Sequence, residues 1–424
     1  MRIAFFLHEF PALSQTFILN QITGMMDRGH EVDVYATRRA RVEKTHTQVE
    51  SYGLLNKTRF ISEVPRGYLE RLTIAIGLGL RRGLWRRPAQ VFRAIALSDS
   101  GRTGLSLRVL YQVLALADRP NYDVIHCQFG TLGLLALRLK RLGALDGVLV
   151  TSFRGFDVNR VLTKKPSCYD ELFRCGDLHL PVSRSLADRL MAAGCPPDRM
   201  KVVHSGIDCR RFRFSERRRD GEETIRVLGI GRFVRKKGWG DAIEAVAKAR
   251  EGGCDIRFSM VGDGELRHEL EQKIAECRLE HSVALLGWCD HDEVARLLDE
   301  SHILIAPSVT AADGDQEGIP NVLKEAMATG LPVLSTWHSG IPELVENGLS
   351  GYLVAERDVG ALAERLISLC AHPERWGAMG RAGRKKIEAE FDTEQINSEL
   401  ERLYIGAIEN GAQHSVAVPT ESIP

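Results

Sequence analysis

A unit that recurs along the chain constrains its fold most: a short apolar run, a polar loop, an amphipathic helix and another apolar run. It is clearest from Ile303 to Glu346. Ile303–Ala306 has the length and composition of a strand buried on both faces. Ser308 to Gly318 is a loop too rich in Asp, Gly and Thr to be packed core. Pro320 then opens a helix, where its missing N–H costs nothing, and Gly330 with Pro332 stops it. Leu331–Ser335 begins the next buried strand. Doubly buried strands joined through helices belong to a parallel sheet, so the chain reads as α/β.

The same alternation fills both halves. In the first, Arg2–Leu7, Glu31–Ala36, Tyr122–Cys127, Gly147–Ser152 and Leu178–Val182 read as strands, with a helix over Ser14–Arg28. A longer, mostly helical region is expected from Arg66 to Ala117. The pattern restarts after a charged stretch, Arg210 to Glu223, with strands Thr224–Gly231, Ile256–Val261, Val283–Leu286 and Tyr352–Val354. Helices are expected over Trp239–Arg250, Val359–Cys370, Pro373–Glu390 and Thr393–Ile408. With 424 residues the chain is too long for one ordinary core and implies two α/β domains.

Composition narrows the setting. Hydrophobic residues at 44% and charged residues at 27% are those of a soluble globular protein. The net charge of +1 leaves no global field for nucleic acid. The 9 cysteines are odd in number and show no C-x-x-C spacing, which points to reduced thiols rather than a zinc site or a disulfide framework. The N-terminal apolar run is interrupted by His8 and Glu9 and reads as a first strand, not a signal peptide.

Two acids bracket the start of the Pro320 helix. Glu317 ends the loop, and Glu325 lies past the first helical turn, off the edge of the apolar face made by Val322, Leu323, Ala326 and Met327. A helix N-terminus seats phosphate, whereas carboxylates beside it accept hydrogen bonds from sugar hydroxyls. The ligand this pattern suits has phosphate in its middle and hydroxyls at both ends, as a nucleotide sugar does. Arg232 and Lys237 stand just past a strand end across a short loop and offer positive charge for such phosphates, while Arg235 and Lys236 read as surface residues.

Glu317-Gly-Ile-Pro, Lys324-Glu325-Ala-Met-Ala and Ser339-Gly-Ile-Pro-Glu343-Leu-Val resemble the signature of glycosyltransferase family 4. The most similar subgroup makes exopolysaccharides of the colanic-acid and amylovoran type, and the likeness runs from the loop Phe10–Phe17 to the last helix. It implies the GT-B fold, two Rossmann-like domains facing a cleft. Domains are then expected at 1–208 and 224–390 about a linker 209–223, a helix 391–410 crossing back to the first domain, and a disordered tail 411–424. The implied activity is retaining transfer from a nucleotide-diphosphate sugar to a lipid-linked saccharide, without metal or other cofactor. Arg232 and Lys237 would hold the diphosphate, Glu317 the transferred sugar and Glu325 the ribose. The amides of Gly318, Ile319, Pro320 and Asn321 form the loop around sugar and phosphate, Pro320 lacking an N–H of its own. Front-face reaction, with no enzymatic nucleophile, goes with this resemblance.

The first domain departs from the pattern. Ser14 and Thr16 sit in the loop facing the cleft, where Ser14 caps its helix or meets phosphate or acceptor. Arg154-Gly-Phe-Asp157 stands where the family has His-Gly-x-Asp, and Gln128 where many relatives have His, with His126 two residues away. An arginine at 154 suits a donor whose C6 is a carboxylate, a uronic acid; the alternatives are that Arg154 turns to an acid such as Asp157, or that His126 has assumed the missing role. Asp313-Gly-Asp315 formally matches an Asp-x-Asp metal motif but lies inside a loop, and reads as loop acids. Arg81, Arg82, Arg86, Arg87 and Arg93 beside Trp85 suit the surface of an anionic bilayer, or are a solvated face. The expected location is therefore cytoplasmic, peripheral at the inner face of the plasma membrane. A nucleotide-sugar epimerase and a non-catalytic nucleotide-sugar binder stand as alternatives.

Overall fold

The structure, a computed structural model, describes residues 1–11, 16–40, 46–61, 73–74, 77, 108–116, 121–219, 221 and 224–416. They form two six-stranded sheets. The first comprises β1 (Arg2–Phe10), β2 (Glu31–Arg39), β3 (Thr58–Phe60), β4 (Asn121–Cys127), β5 (Asp146–Phe153) and β6 (Leu178–Pro181), in the order β3-β2-β1-β4-β5-β6. The second comprises β7 (Ile225–Ile230), β8 (Ile256–Val261), β9 (Val283–Gly287), β10 (Ile303–Ala306), β11 (Val333–Thr336) and β12 (Gly351–Val354), in the order β12-β11-β10-β7-β8-β9. Neighbouring strands pair in parallel throughout. Both are doubly wound sheets, with the strand order reversing between β1 and β4 and between β7 and β10. Open α/β sheets bind ligands at that switch point, beyond the carboxyl ends of the strands.

The strands bury both faces because both carry apolar side chains. Along β1, Ile3, Phe5 and Leu7 enter one core layer, while Ala4 and Phe6 enter the other. The last helix, Thr393–Val416, covers the first of these layers. The chain reaches it at Phe391–Asp392, where the Ile207 N–H donates to the Phe391 carbonyl and the Thr393 N–H to the Ile207 carbonyl, both at 2.9 Å. Ile396, Leu400 and Tyr404 then pack against Ile3, Phe5, Val124 and Val150. Each such fully buried side chain is worth about 1.5–3 kcal/mol, so the last helix is an integral layer of the first domain.

Three local details differ from the sequence reading. Thr58–Phe60 forms an edge strand that three residues were too few to announce. The last helix runs to Val416, six residues past its expected end at 410, because adding a residue to a nucleated helix is far easier than starting one. In the linker, Arg217 is only 5% exposed and donates to the carbonyls of Leu298, Asp299 and Thr329. That charge is spent on carbonyls rather than on solvent. Ser14 and the basic segment from Arg81 to Arg93 lie outside the described residues.

The two halves touch through specific groups. The Glu343 carboxylate accepts the backbone N–H groups of Arg184 at 2.8 Å and Ser185 at 3.3 Å, closing the N-terminus of the helix Arg184–Ala192 from the opposite domain. Close approach requires Gly340, since a Cβ there would lie 2.9 Å from the Ser183 Cβ and 2.7 Å from Ile319. Lys324 reaches from the second domain to the Ser205 carbonyl at 2.6 Å and its hydroxyl at 3.0 Å.

Candidate active site

The loop after β7 turns at Gly238, whose φ of 65° is left-handed and whose added Cβ would meet the Pro307 carbonyl at 2.0 Å. Only glycine lets this loop lie so close to the one after β10. The approach brings two lysines onto Glu317: Lys236 Nζ is 3.3 Å from Oε1 and Lys237 Nζ 3.4 Å from Oε2. Burial pushes the Glu317 carboxyl up, but Lys237 and Lys236 together hold it below the usual carboxylate range. Lys236 also sits 3.3 Å from Asp315. It is therefore a residue of the site, against the reading of it as a surface base. Arg235 pairs with Glu269 at 2.7 Å, and both line the same cleft as Lys236, with the Arg235 side chain largely exposed.

Glu317 and Gly318 line a cleft of ≈ 990 Å³ between the domains. Arg232 and Lys236 face it from the second domain; Gly155, Phe156 and Arg160 face it from the first. The Arg232 backbone is anchored by Trp239, whose indole N–H donates to its carbonyl at 3.0 Å. Its guanidinium is paired to no acid among the described residues and remains an available cation. The helix Asn321–Thr329 begins directly behind this loop, with Pro320 as its cap residue. The cleft thus brings together Arg232, Lys236 and Glu317, with Lys237 reaching Glu317 from beside it; Ile319, Pro320 and Asn321 are not among its lining residues.

Asp313 and Asp315 are engaged by cations. Arg160 lies 2.6 Å from Asp313 and 3.8 Å from Asp315, so the pair ties the β10 loop to the first domain. Gln316 adds to this bridge by accepting from Arg189 at 3.2 Å and donating to the Thr310 hydroxyl at 3.0 Å. None of Arg160, Arg189 and Gln316 carries a sequence signal of its own, because each matters only through a partner more than a hundred residues away or across a loop.

Glu325 opens onto a different space. It lines a pocket of ≈ 160 Å³ with Thr16, Asn20, Asp208 and Arg211, next to the junction of the domains. Burial raises its carboxyl above the usual value, and no described residue hydrogen-bonds to it. The two acids of the motif therefore face two spaces: Glu317, in the loop before the helix Asn321–Thr329, lines the cleft, and Glu325, on that helix, lines the smaller pocket. Thr16 is brought to Glu325 rather than to Glu317.

In the first domain Arg154, Asp157 and His126 are interior residues. Arg154 is 8% exposed; its Nη2 donates to the Gln128 carbonyl oxygen and its plane lies 4.2 Å over the Phe17 ring. Burial lowers it to about 9 and leaves Nε without a partner. Arg154 is not among the residues lining the cleft, and one N–H of its Nη2 is taken by Gln128. Asp157 accepts the Arg154 N–H at 3.1 Å, and burial pushes it up to about 7. His126 is fully buried between the Tyr404 hydroxyl at 2.6 Å and the Ser152 hydroxyl at 2.8 Å, so it belongs to the seam with the last helix.

The comparisons with known proteins agree with this architecture. Residues 14–211 match the family described as Glycosyltransferase Family 4, and residues 210–386 match Glycosyl transferases group 1. The chain is 38% identical over 408 residues to WcaL of Salmonella typhimurium, provisionally named a colanic acid biosynthesis glycosyltransferase, covering 95% of this chain and 99% of that one. It is 36% identical over 414 residues to the amylovoran biosynthesis glycosyltransferase AmsK of Erwinia amylovora, covering 95% and 100%. Among solved structures, Anabaena HepE in complex with UDP superposes with a TM-score of 0.70 at 17% identity, covering 96% of this chain and 100% of that one. The likeness of sequence over nearly the whole length, on two doubly wound sheets facing a cleft, makes this chain a member of glycosyltransferase family 4 with the GT-B fold.

Proposed function

We propose that the protein is a retaining glycosyltransferase that moves a sugar from a nucleotide-diphosphate sugar to a lipid-linked saccharide in exopolysaccharide synthesis. The observation that carries this reading is the pairing of Lys236 and Lys237 with Glu317 at an interdomain cleft that Arg232 also lines. Departure of the diphosphate leaves negative charge on its oxygens while the sugar carbon becomes cationic, so fixed cations at the phosphates stabilise the transition state. Arg232, paired to no acid among the described residues, is the group best placed to receive that charge. Lys237 exchanges its partner Glu317 for phosphate, and Lys236 keeps Glu317 compensated as it does so. Glu317 then takes hydroxyls of the transferred sugar and Glu325 hydroxyls of the ribose. The HepE complex with UDP and glucose shows what a protein of the same fold binds, and it supports a nucleotide sugar as donor.

In this reading the reaction runs on one face of the sugar. The bond from the anomeric carbon to the diphosphate breaks, a bond to the acceptor oxygen forms, and the acceptor's proton passes to the leaving diphosphate oxygen. Metal independence is part of the proposal, because Arg160 and Lys236 already compensate Asp313 and Asp315. We place the enzyme at the inner face of the plasma membrane, where its lipid-linked acceptor would lie. No helix among the described residues is long and apolar enough to cross a membrane. The test is release of nucleoside diphosphate from a panel of nucleotide sugars, with and without lipid-linked saccharide, in the presence of EDTA. Acceptor-dependent release with an axial product linkage from an axial donor supports the reading. Epimerised donor without release, or binding without turnover, would replace it by one of the alternatives.

A further inference from the structure

The loop that ends in Glu317 is held from behind by a buried histidine. His338 follows β11 and is fully buried. Its Nε2 lies 3.1 Å from the backbone nitrogen of Glu317, and its Nδ1 2.6 Å from Glu356 Oε1. A backbone N–H can only donate, so Nε2 is the unprotonated, accepting nitrogen, and Nδ1 carries the proton toward Glu356. Glu356 follows β12 and also accepts the Thr310 N–H at 2.7 Å and the Thr310 hydroxyl at 3.3 Å. Burial pushes the Glu356 carboxyl up, yet these hydrogen bonds keep it below its ordinary value, as a permanent acceptor for Nδ1–H. One imidazole thus joins the loops after β10, β11 and β12. Glu317 lies in no helix or strand that could take its N–H. Without His338 that donor would be left with no acceptor in a half-buried loop.

We propose that His338 is a positioning residue for Glu317: a neutral imidazole, its tautomer set by Glu356, that fixes the Glu317 backbone so that the carboxylate meets Lys236 and Lys237. This rests on the reading of Glu317 as the acid that contacts the transferred sugar. The contact is specific to an acceptor at the Nε2 position, so shape alone does not substitute for it. An imidazolium would oppose one N–H to another and release the loop.

Two variants separate acceptor from packing. His338→Gln can place its carbonyl oxygen where Nε2 was; His338→Asn offers only a shorter group near Nδ1 and cannot reach Glu317. Amide exchange of segment 308–320, followed by mass spectrometry, reads loop fixation without any donor. Hydrolysis of UDP-glucose, UDP-galactose and GDP-mannose reads turnover, and Glu317→Ala is run beside them. His338→Asn should raise exchange and lower hydrolysis by roughly tenfold each, while His338→Gln stays within about threefold of the native protein in both. Should His338→Asn fail to fold, Glu356→Gln serves instead, since an amide can donate to Nδ1 and turn Nε2–H against the Glu317 N–H. Equal behaviour of the Asn and Gln variants, or native exchange in His338→Asn, overturns the proposal. If Glu317→Ala hydrolyses donor at the native rate while the exchange results hold, the positioning stands and the role given to Glu317 falls.

Discussion

Burial of Lys324 should make the native protein gain stability as pH rises from about 7 to 10.5, and replacing it by methionine should abolish that rise. The Lys324 side chain is fully buried, and burial drives it from 10.5 down to about 7. A lysine disfavoured as a cation in the fold costs stability while both folded and unfolded chains carry the proton. That cost is complete below about 7, shrinks as pH rises and vanishes above 10.5. The gap of roughly 3.5 pH units, at 1.36 kcal/mol each, amounts to roughly 5 kcal/mol. Against this, methionine strips the Ser205 carbonyl and hydroxyl of their donor, at about 1–3 kcal/mol. Methionine fills nearly the same volume and adds little strain. The variant should therefore be more stable than the native chain by roughly 2–4 kcal/mol at pH 6.5, and less stable by about 1–3 kcal/mol above pH 10.5. Urea midpoints at several pH values, followed by tryptophan fluorescence, measure it, since buried Trp239 and Trp376 both report on the second domain. A difference between the two proteins that stays constant with pH would show that Lys324 does not titrate in this window and would refute the argument.

Arg232→Ala should lower turnover by ~10²–10³ at saturating donor while leaving the melting temperature unchanged, because its guanidinium pairs with no acid among the described residues. Lys236→Met should move the acid limb of the rate profile to higher pH. Lys236 is one of the two cations holding Glu317 down, and with one gone the carboxylate is lost earlier on acidification, which a kcat/KM titration reads directly. Glu343→Gln should lower stability by about 1–3 kcal/mol, since it discharges an acceptor that serves a helix N-terminus from the other domain. Its mark in calorimetry is separation of the two domains' transitions; a single native-like transition would show that this contact does not couple them.

Alternation of doubly apolar runs with helical stretches was enough to specify two parallel-sheet domains, because a strand buried on both faces can be satisfied only that way. The placement of Glu317 and Arg232 at the crevice was legible for a related reason: side chains beyond strand ends face it whatever the details of packing, whereas Glu325 opens onto the smaller pocket. Which of them meet each other was not legible. Lys236 and Lys237 are neighbours in a run of bases, and only the left-handed turn at Gly238, pressed against Pro307, aims both at one carboxylate. Arg154 looked like a hand extended to the sugar, yet Gln128 and Phe17 draw it into the first domain. His126 looked like its substitute, and the last helix claims it through Tyr404, 278 residues away. His338 and Glu356 carry no spacing that marks them, because their partners lie on different loops. Local pattern decides where the chain turns and which face it buries. The pairing of polar groups is decided by distances between segments remote in sequence, and those exist only once both sheets and the helix that crosses back are in place.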